Sequence, residues 1–234
     1  MTSNTSIITS TTSRKCWRIL AAVIGCALLW LGIQQGYRMI THNFEVVDPG
    51  RLYRSAQLDP ADLEKVIRQH GIRMVVNLRG ESTTRSWYLE EREVCRRLQV
   101  RLLDLRWSAR KLPKPERVTT LLTAYHDGPY PMLIHCAAGA DRTGLASALY
   151  LIDQKDSPAS KAHTQSLNLA HGHWPFYPQW AMDEFLVLFK RSDKTLLVWL
   201  AEDYPSIYQS ESQESLWEKI FEPWVGKLYW QTGE

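Results

Sequence analysis

The chain has 234 residues, of which 44% are hydrophobic and 23% charged, a composition that is ordinary for a globular protein. Four of the 28 basic residues and none of the 25 acidic residues lie in the first 40 positions, so the remainder carries 24 basic against 25 acidic residues. This near-neutral balance excludes the broadly basic surface of a nucleic-acid-binding protein, and we expect no nucleic-acid partner. The four cysteines, at positions 16, 26, 95 and 136, fit neither a metal motif nor a disulfide framework, and we expect no metal.

The N-terminal segment is predicted to hold a membrane helix. Residues 1–16 form a polar and then basic leader that we expect to be disordered, and no charged side chain occurs from Ile19 to Ile33. A helix of those fifteen residues is about 22 Å long, which is shorter than a hydrocarbon core of about 30 Å. Trp17 and Tyr37 extend it across the two membrane interfaces. We therefore predict a transmembrane signal-anchor over residues 17–40.

Three other interpretations of this segment stay open. A cleaved signal peptide fits the length of the apolar run, but no A-x-A site follows it. The run Val23-Ile24-Gly25-Cys26 is similar to a bacterial lipobox, although the apolar run continues for seven residues after the cysteine. A buried helix of the folded domain is the third interpretation, and the basic leader argues against it.

The charges that flank the segment predict its orientation. Arg14, Lys15 and Arg18 precede the apolar run, so the positive-inside rule places the N-terminus in the cytoplasm. The prediction is a single-pass protein of the inner membrane, with the domain that follows the span in the periplasm. Basic residues also follow the run soon after it, at positions 38, 51 and 54, and they weaken the asymmetry.

Strand and helix patterns alternate through the part that follows. The predicted elements are a hairpin of Phe44–Val47 and Arg51–Ser55 around the turn Asp48-Pro49-Gly50, a helix from Asp59-Pro60 to Gly71, a strand over Ile72–Leu78, a helix over Trp87–Leu98, a strand over Val100–Trp107, a helix over Glu116–Tyr125 and a strand over Pro131–Ile134. This alternation predicts an α/β fold, with a mostly parallel central sheet flanked by helices on both faces. Functional sites on such sheets lie at the carboxyl ends of the strands.

The pattern is helical from the last predicted strand onwards. Helices are predicted from Ser157 to about Leu169, over Met182–Phe189, over Leu196–Trp199 and over Ser215–Trp230. We assign residues 44–205 to a catalytic domain and residues 206–234 to a helical C-terminal extension. Six of the ten tryptophans lie late in the chain, which core packing explains; a C-terminal helix lying on a membrane is the alternative.

The segment from His135 to Gly144 is predicted to be a tight loop between a buried strand and a helix. Cys136 opens the loop and Arg142 closes it six residues later. Backbone N–H groups at a helix N-terminus favour an anion, and a thiol in that field loses its proton easily. The planar guanidinium matches two phosphate oxygens. The spacing therefore predicts a site that attacks a phosphate ester.

Each residue of this loop has a predicted role. Cys136 is the nucleophile, and Arg142 binds the phosphoryl oxygens and stabilises the transition state. Thr143 either donates a hydrogen bond to the sulfur as it departs or caps the helix, and His135 either orders the loop or is simply packed. The phosphoryl oxygens are bound by the backbone groups of Ala137, Ala138, Gly139 and Ala140. Gly139, which has no side chain, lets the backbone approach the phosphate closely.

The run from Cys136 to Thr143 resembles the C-x5-R-[S/T] signature of the cysteine-based protein tyrosine and dual-specificity phosphatases. Leu52–Gln57, Val75–Arg79 and His171-Gly-His173 are similar to segments of the bacterial dual-specificity type, and the resemblance covers roughly residues 44–190. It implies hydrolysis of a phosphomonoester through a phosphocysteine intermediate, with no cofactor. The expected substrate is a phosphoprotein, a phosphoinositide or other phospholipid is the alternative, and an inactive phosphate-binding module is a further one.

The resemblance leaves two candidates for the acid that protonates the leaving group. Many dual-specificity phosphatases carry an aspartate about thirty residues before the cysteine, and Asp104 has that spacing, although it lies within a predicted strand. Other members carry an aspartate inside the cysteine loop, and Asp141 matches them. We favour Asp141, with Asp104 as the possible alternative general acid and Glu81 and Glu90 as weaker candidates. A structural loop acid and a solvated strand-end charge are the alternative interpretations of the two aspartates.

Two further residues have both a functional and a packing interpretation. Trp107 is a candidate for the aromatic wall of a phosphotyrosine site, but packing at the end of a strand explains it better. Cys95 is a candidate redox partner of Cys136, but its place in an amphipathic helix favours burial in the core.

Overall fold

In the computed structural model of the protein, residues 10–174 and 180–213 are described. The N-terminal helix α1 (Ser10–Thr41) is one unit, and a second unit begins at His42. The predicted helix over Ser215–Trp230 and residues 1–9 of the predicted leader lie outside the described residues.

Helix α1 begins earlier than the sequence predicts. Residues 10–16, which were expected to belong to a disordered leader, are already helical. Once the apolar stretch has nucleated a helix, each added residue gains a backbone hydrogen bond, so the helix extends into the Ser/Thr-rich flank. From Cys16 to Thr41 the helix is long and apolar enough to cross a membrane, and a signal sequence has the same properties.

The second unit is built on a five-stranded sheet in the order β1-β2-β5-β3-β4. Its strands are β1 (Glu45–Asp48), β2 (Leu52–Ser55), β3 (Met74–Asn77), β4 (Arg101–Asp104) and β5 (Met132–His135). Only the β1–β2 hairpin is antiparallel, and the other neighbouring strands pair in parallel. The predicted mostly parallel sheet and its initial hairpin are therefore confirmed.

Helices cover both faces of this sheet, as predicted. The helices of the unit are α2 (Pro60–His70), α3 (Ser86–Arg97), α4 (Pro115–Asp127), α5 (Asp141–Lys155), α6 (Ala159–Ser166), α7 (Ala181–Lys190), α8 (Leu196–Glu202) and α9 (Tyr204–Gln213). Side chains of α2 and α3 pack on one face of the sheet, and side chains of α4, α5, α7, α8 and α9 pack on the other. These two apolar clusters make an α-β-α sandwich.

Local sequence signals account for the ends of helix α2. Asp59 caps its N-terminus by accepting a hydrogen bond from Asp62 N at 2.9 Å, and Pro60 occupies the first turn. Gly71 ends the helix in the left-handed conformation, with φ of 63°. The predicted boundaries of this helix are confirmed.

Strand β4 is shorter than the predicted strand over Val100–Trp107. It ends at Asp104, because Arg106 adopts a left-handed φ of 43° and interrupts the regular ladder. The chain nevertheless stays beside β3, since Leu105 N donates to Asn77 O and Trp107 N donates to Leu78 O. Trp107 itself is buried in the cluster on the α5 side, as the packing interpretation predicts.

Helix α9 runs across the predicted boundary between residues 205 and 206. Tyr204 is fully buried, and its hydroxyl donates to Pro113 O at 2.6 Å. Ile207 and Tyr208 pack against the same cluster. Tyr204 thus attaches the described part of the extension to the sandwich. The sequence of this segment did not indicate that contact.

Candidate active site

The cysteine loop lies at the carboxyl edge of the sheet, between β5 and α5. Cys136 follows the last residue of β5 and is 2% exposed, and Arg142 lies in the first turn of α5. The unpaired N–H groups of the first turn of α5 therefore face the loop together with the positive end of the helix dipole. The strand, loop and helix predicted around this segment are confirmed.

Three donors from the β1–β2 side of the sheet hold the carbonyl oxygens of three consecutive loop residues. The bonds run from Gln57 N to Ala137 O at 3.2 Å, from Asn43 Nδ2 to Ala138 O at 3.1 Å and from Arg54 Nη2 to Gly139 O at 2.7 Å. A trans peptide plane directs its C=O and the following N–H to opposite sides. The N–H groups of residues 138–140 therefore point away from these donors, as is needed for an anion held by the loop.

Gly139 is required by both the backbone conformation and the available space. Its φ is 68°, which only glycine adopts without strain. A Cβ at this position would lie 2.6 Å from Ala56 N and 2.7 Å from the carbonyl carbon and oxygen of Ser55. The loop therefore packs directly on the backbone that follows β2, and no side chain fits between them.

Arg54 is a buried cation beneath the loop that the sequence did not single out as a site residue. It is 2% exposed and also donates to Ser166 O at 3.1 Å. Burial lowers the pKa of Arg54 to about 10, and the charges of Glu45 and Cys136 counteract this shift. The guanidinium stays charged at neutral pH and gives the loop a fixed positive charge from below. The only signal in the sequence was its place in a segment similar to those of known phosphatases.

Arg142 and Thr143 hold polar atoms that make no hydrogen bond to the described part of the chain. Arg142 Nη1 donates to Trp107 O at 3.3 Å, while its Nε is buried and unbonded. The Thr143 hydroxyl is also buried and unbonded, so it does not cap α5. Buried hydrogen-bond donors in proteins nearly always have an acceptor. Two buried donors without an acceptor, beside a loop of this shape, therefore point to a polar ligand.

His135 and Gln57 contact a buried glutamate on helix α3. His135 Nε2 lies 3.1 Å from Glu91 Oε2, and both side chains are about 2% exposed. Gln57 Nε2 donates to the same oxygen at 2.5 Å. The role of His135 in ordering the loop stays a prediction, and Glu91 is the partner through which it would act.

Arg79 and Trp87 form a wall near the loop. The Arg79 guanidinium stacks over the Trp87 ring, with 3.4 Å from Cζ to the ring centroid, and Nη1 donates to Gln57 Oε1 at 3.0 Å. Burial and the positive charge of Arg142 lower the pKa of Arg79, whereas the charge of Cys136 raises it. Gln57, whose N–H donates to Ala137 O, thus connects the Arg79–Trp87 pair to the cysteine loop.

Comparison with known proteins agrees with this geometry. A family model described as the tyrosine phosphatase family matches residues 35–152, which is half of the chain. The protein belongs to the tyrosine phosphatase family. It is therefore a cysteine-dependent phosphatase. The search of curated proteins gave no match.

Solved structures show the same fold. TpbA of P. aeruginosa matches with a TM-score of 0.50 and 21% sequence identity, covering 65% of this chain and 92% of its own. A mutant form of Tk-PTP matches with a TM-score of 0.51 and 19% identity, covering 63% and 94%. The catalytic core of Siw14, a protein of S. cerevisiae, matches with a TM-score of 0.51 and 16% identity, covering 73% and 92%. At these identities the structures support the fold of the phosphatase and do not decide its substrate.

Asp104 lies on the opposite face of the phosphatase sheet from the Cys136 side chain. Its carboxylate accepts hydrogen bonds from Tyr88 Oη at 2.7 Å and from Asn77 Nδ2 at 2.9 Å, on the α3 side. Cys136 belongs to the cluster on the α5 side. Burial raises the pKa of Asp104, although the bonds from Tyr88 and Asn77 oppose that shift.

Asp141 lies in the loop itself, directly before Arg142, and contacts a histidine from outside it. Its Oδ1 is 2.7 Å from His173 Nδ1. His173 is 1% exposed, and its other ring nitrogen is 2.7 Å from Asp183 Oδ2. The sequence segment containing His173 resembled known phosphatases, but only the fold places it beside Asp141.

Cys95 is separated from Cys136 by the sheet. Its side chain packs in the cluster on the α2 and α3 side, whereas Cys136 packs on the α5 side. Burial raises the pKa of Cys95 to about 12, which leaves the thiol protonated at neutral pH. This arrangement agrees with the packing interpretation and not with a redox pair.

Proposed function

We propose that the protein is a membrane-attached phosphatase of phosphotyrosine and other phosphorylated proteins. The observation that carries the proposal is the loop whose outer carbonyls are held by three donors, with Cys136 at one end and Arg142 at the other. Such a loop directs fixed backbone donors at the oxygens of a phosphoryl group, and fixed donors stabilise a developing charge better than water does.

In the proposed first step, Cys136 Sγ as a thiolate forms a bond to phosphorus while the bond from phosphorus to the ester oxygen breaks. The electron pair of that bond goes to the leaving oxygen, which takes a proton from Asp141. Arg142 and the loop N–H groups bind the three remaining phosphoryl oxygens. In the second step a water oxygen attacks phosphorus, the bond from sulfur to phosphorus breaks, and Asp141 accepts a proton from the water. Thr143 donates a hydrogen bond to the departing sulfur.

The choice of Asp141 over Asp104 is supported by where their side chains lie. Asp141 precedes Arg142 in the loop, while Asp104 is bonded to Asn77 and Tyr88 on the α3 face of the sheet. A general acid must reach the leaving oxygen directly or through one water. Asp104 would have to break both bonds and cross the sheet edge to do so.

A protein substrate is supported by the Arg79–Trp87 wall. The Trp87 ring, which is linked to the cysteine loop through Arg79 and Gln57, offers a flat aromatic surface on which the ring of phosphotyrosine can stack. A variant of TpbA, which has the same fold, was crystallised in complex with phosphotyrosine.

Phosphoinositides or other phospholipids are the second candidate substrates. The segment between β4 and α4 carries four exposed basic side chains and no acidic one, at positions 106, 110, 111 and 114. Its Trp107 carbonyl contacts Arg142, so the segment borders the loop. A basic rim favours a polyanionic head group, and a membrane anchor would bring the enzyme to lipids.

Turnover of a phosphotyrosine peptide, a phosphoserine peptide and a phosphoinositide should be compared with the full-length protein in detergent micelles. We expect the phosphotyrosine peptide to have the highest kcat/KM. A preference of about two orders of magnitude for the lipid, equivalent to about 2.7 kcal/mol, would reject the protein substrate in favour of the second candidate.

Catalysis by the loop is tested with Cys136→Ser, which should lose all turnover of p-nitrophenyl phosphate. Cys26→Ser is the control, because Cys26 is an exposed cysteine of α1. Unchanged turnover by Cys136→Ser would show that this loop does not perform the reaction. If the wild-type protein binds phosphate but turns over no substrate, that result would support a phosphate-binding module.

We also propose that α1 anchors the enzyme as a single-pass protein of the inner membrane, with the catalytic unit in the periplasm. The support is its length and composition together with the basic residues at positions 14, 15 and 18. A reporter that is active only in the periplasm, fused after residue 234, should be active. Release of a shortened soluble protein would instead indicate a cleaved signal peptide.

A further inference from the structure

A continuous chain of side chains extends from the cysteine loop to the far end of helix α7. The contacts, each between 2.6 and 3.1 Å, run from Asp141 to His173, from His173 to Asp183, from Asp183 to His163 and from His163 to Lys190. Apart from Asp141, all of these residues lie beyond residue 152, where the match to the family model ends. The chain of contacts is therefore built from the part of the protein that the family model does not cover.

His173 is the central member, and its surroundings assign its charge. Both ring nitrogens face carboxylate oxygens at 2.7 Å, and a ring that donates to two acceptors must carry two protons. Burial disfavours the charged ring, but the bonds to Asp141 and Asp183 outweigh it and raise the pKa of His173 to about 9. His173 is thus an imidazolium at neutral pH, fixed between two acids.

Asp183 holds the ring from the side away from the loop. Its Oδ1 lies 2.6 Å from His163 Nε2, so both of its oxygens are engaged by histidines. Burial raises the pKa of Asp183, but the hydrogen bonds from His163 and His173 outweigh this effect and lower it to about 2. The Lys190 ammonium faces His163 Nδ1 at 3.1 Å, which assigns Nδ1 as an acceptor and Nε2–H as the donor to Asp183.

We propose that His173 is a positioning residue for the reaction: it holds the Asp141 carboxyl in place and stabilises the negative charge left there when the proton passes to the leaving oxygen. The inference rests on the proposed role of Asp141 as the general acid. Because Oδ1 faces His173, Oδ2 is the oxygen left to carry the proton. Asp183 and His163 keep the ring from rotating, which reduces the reorganisation needed during proton transfer.

The leaving-group dependence of the full-length enzyme tests this role. Phenyl phosphate needs protonation of its leaving group far more than p-nitrophenyl phosphate does, so loss of the acid affects mainly the first. We expect His173→Asn to lower kcat/KM, which reports the step that expels the leaving group, about 10-fold or more on phenyl phosphate and less than about threefold on p-nitrophenyl phosphate. We expect Asp141→Asn to show the same pattern more strongly.

A double-mutant cycle separates positioning from a general structural role. If His173 acts through Asp141, adding His173→Asn to Asp141→Asn lowers kcat/KM on phenyl phosphate by less than about twofold further. A merely structural role would reduce turnover of both substrates alike and would add to the effect of Asp141→Asn. Asp183→Asn, which does not touch Asp141, should give a smaller loss with the same substrate dependence, and it carries the test if His173→Asn fails to fold.

The control is His126→Asn. His126 contacts Asp153 at 3.0 Å on the α4–α5 surface, where its side chain is exposed, and neither residue belongs to the loop. It should leave the ratio of the two activities unchanged. If Asp141→Asn depends on the leaving group but His173→Asn and Asp183→Asn do not, the inference about His173 is wrong. If Asp141→Asn itself shows no such dependence, the proposed acid is wrong and the inference fails with it.

Discussion

Replacing Gly139 by alanine tests whether the shape of the loop drives catalysis. The matched control is Gly50→Ala in the β1–β2 turn. The two glycines have nearly equal φ angles, 68° and 72°. No atom lies within 4 Å of a Cβ placed on Gly50, whereas a Cβ on Gly139 meets the backbone of Ser55 and Ala56 at 2.6 to 2.7 Å. The pair thus differs in crowding while both positions share a positive φ.

The expected cost of each substitution follows from these distances. An alanine in the left-handed conformation costs about 1–2 kcal/mol, and for Gly50→Ala this is the whole effect. In Gly139→Ala the added methyl group also contacts backbone atoms that cannot rotate away, so the loop must move off β2. That movement lengthens the 2.7 Å bond between Arg54 Nη2 and Gly139 O and redirects the loop N–H groups. Loss of one fixed donor of this kind lowers kcat by about 10²–10³-fold.

The assay combines turnover, anion binding and thermal unfolding of the full-length protein. We expect Gly50→Ala to lower Tm by a few degrees, at about 2–4 °C per kcal/mol, and to keep kcat within about twofold. Gly139→Ala should lose about 100-fold or more in kcat and bind the competitive inhibitor vanadate about 10-fold more weakly. If Gly139→Ala retained wild-type kcat and vanadate affinity, the argument that the held loop orients its donors would be refuted.

Three further predictions concern Cys95, Asp104 and His173. Burial raises the pKa of Cys95 to about 12, so Cys95 should resist iodoacetamide at pH 7.5 in the native protein while Cys136 is alkylated. Peptide mass spectrometry measures both modifications. A disulfide between the two cysteines after peroxide treatment would contradict this prediction. Asp104→Asn should destabilise the protein by about 1–2 kcal/mol and leave the ratio of phenyl to p-nitrophenyl phosphate turnover unchanged, whereas a selective loss on phenyl phosphate would make Asp104 the acid. Because the folded-state pKa of His173 is raised to about 9, above the ordinary value of about 6.5, its contribution to stability is fully present below about pH 6.5 and is lost as pH rises through about 9. The Tm gap between wild type and His173→Asn should therefore close between pH 6 and pH 10, with at most about 3 kcal/mol involved, and a gap that widens would refute the charged ring.

The order of strands and helices could be predicted because their signals are local. Alternating apolar runs, the Asp59 cap and the turn at Gly50 each act within a few residues. The element ends that the sequence misplaced have more than one cause. Strand β4 stops at Asp104 because the left-handed residue Arg106 follows it, and α9 is held by Tyr204, whose hydroxyl meets Pro113, 91 positions earlier.

The spacing of Cys136 and Arg142 was sufficient by itself to predict an anion-binding loop at the end of a strand, because strand, loop and helix N-terminus are consecutive in the chain. The groups that hold the loop come from elsewhere, and only strand pairing brings Arg54 beneath it, 85 positions before Gly139. The sequence favoured Asp141 over Asp104 as the general acid, because Asp104 lies within a predicted strand. Only the tertiary structure decided what surrounds each of them, because alternation along a strand turns Asp104 to the α3 face, while the fold of the C-terminal helices brings His173 to Asp141.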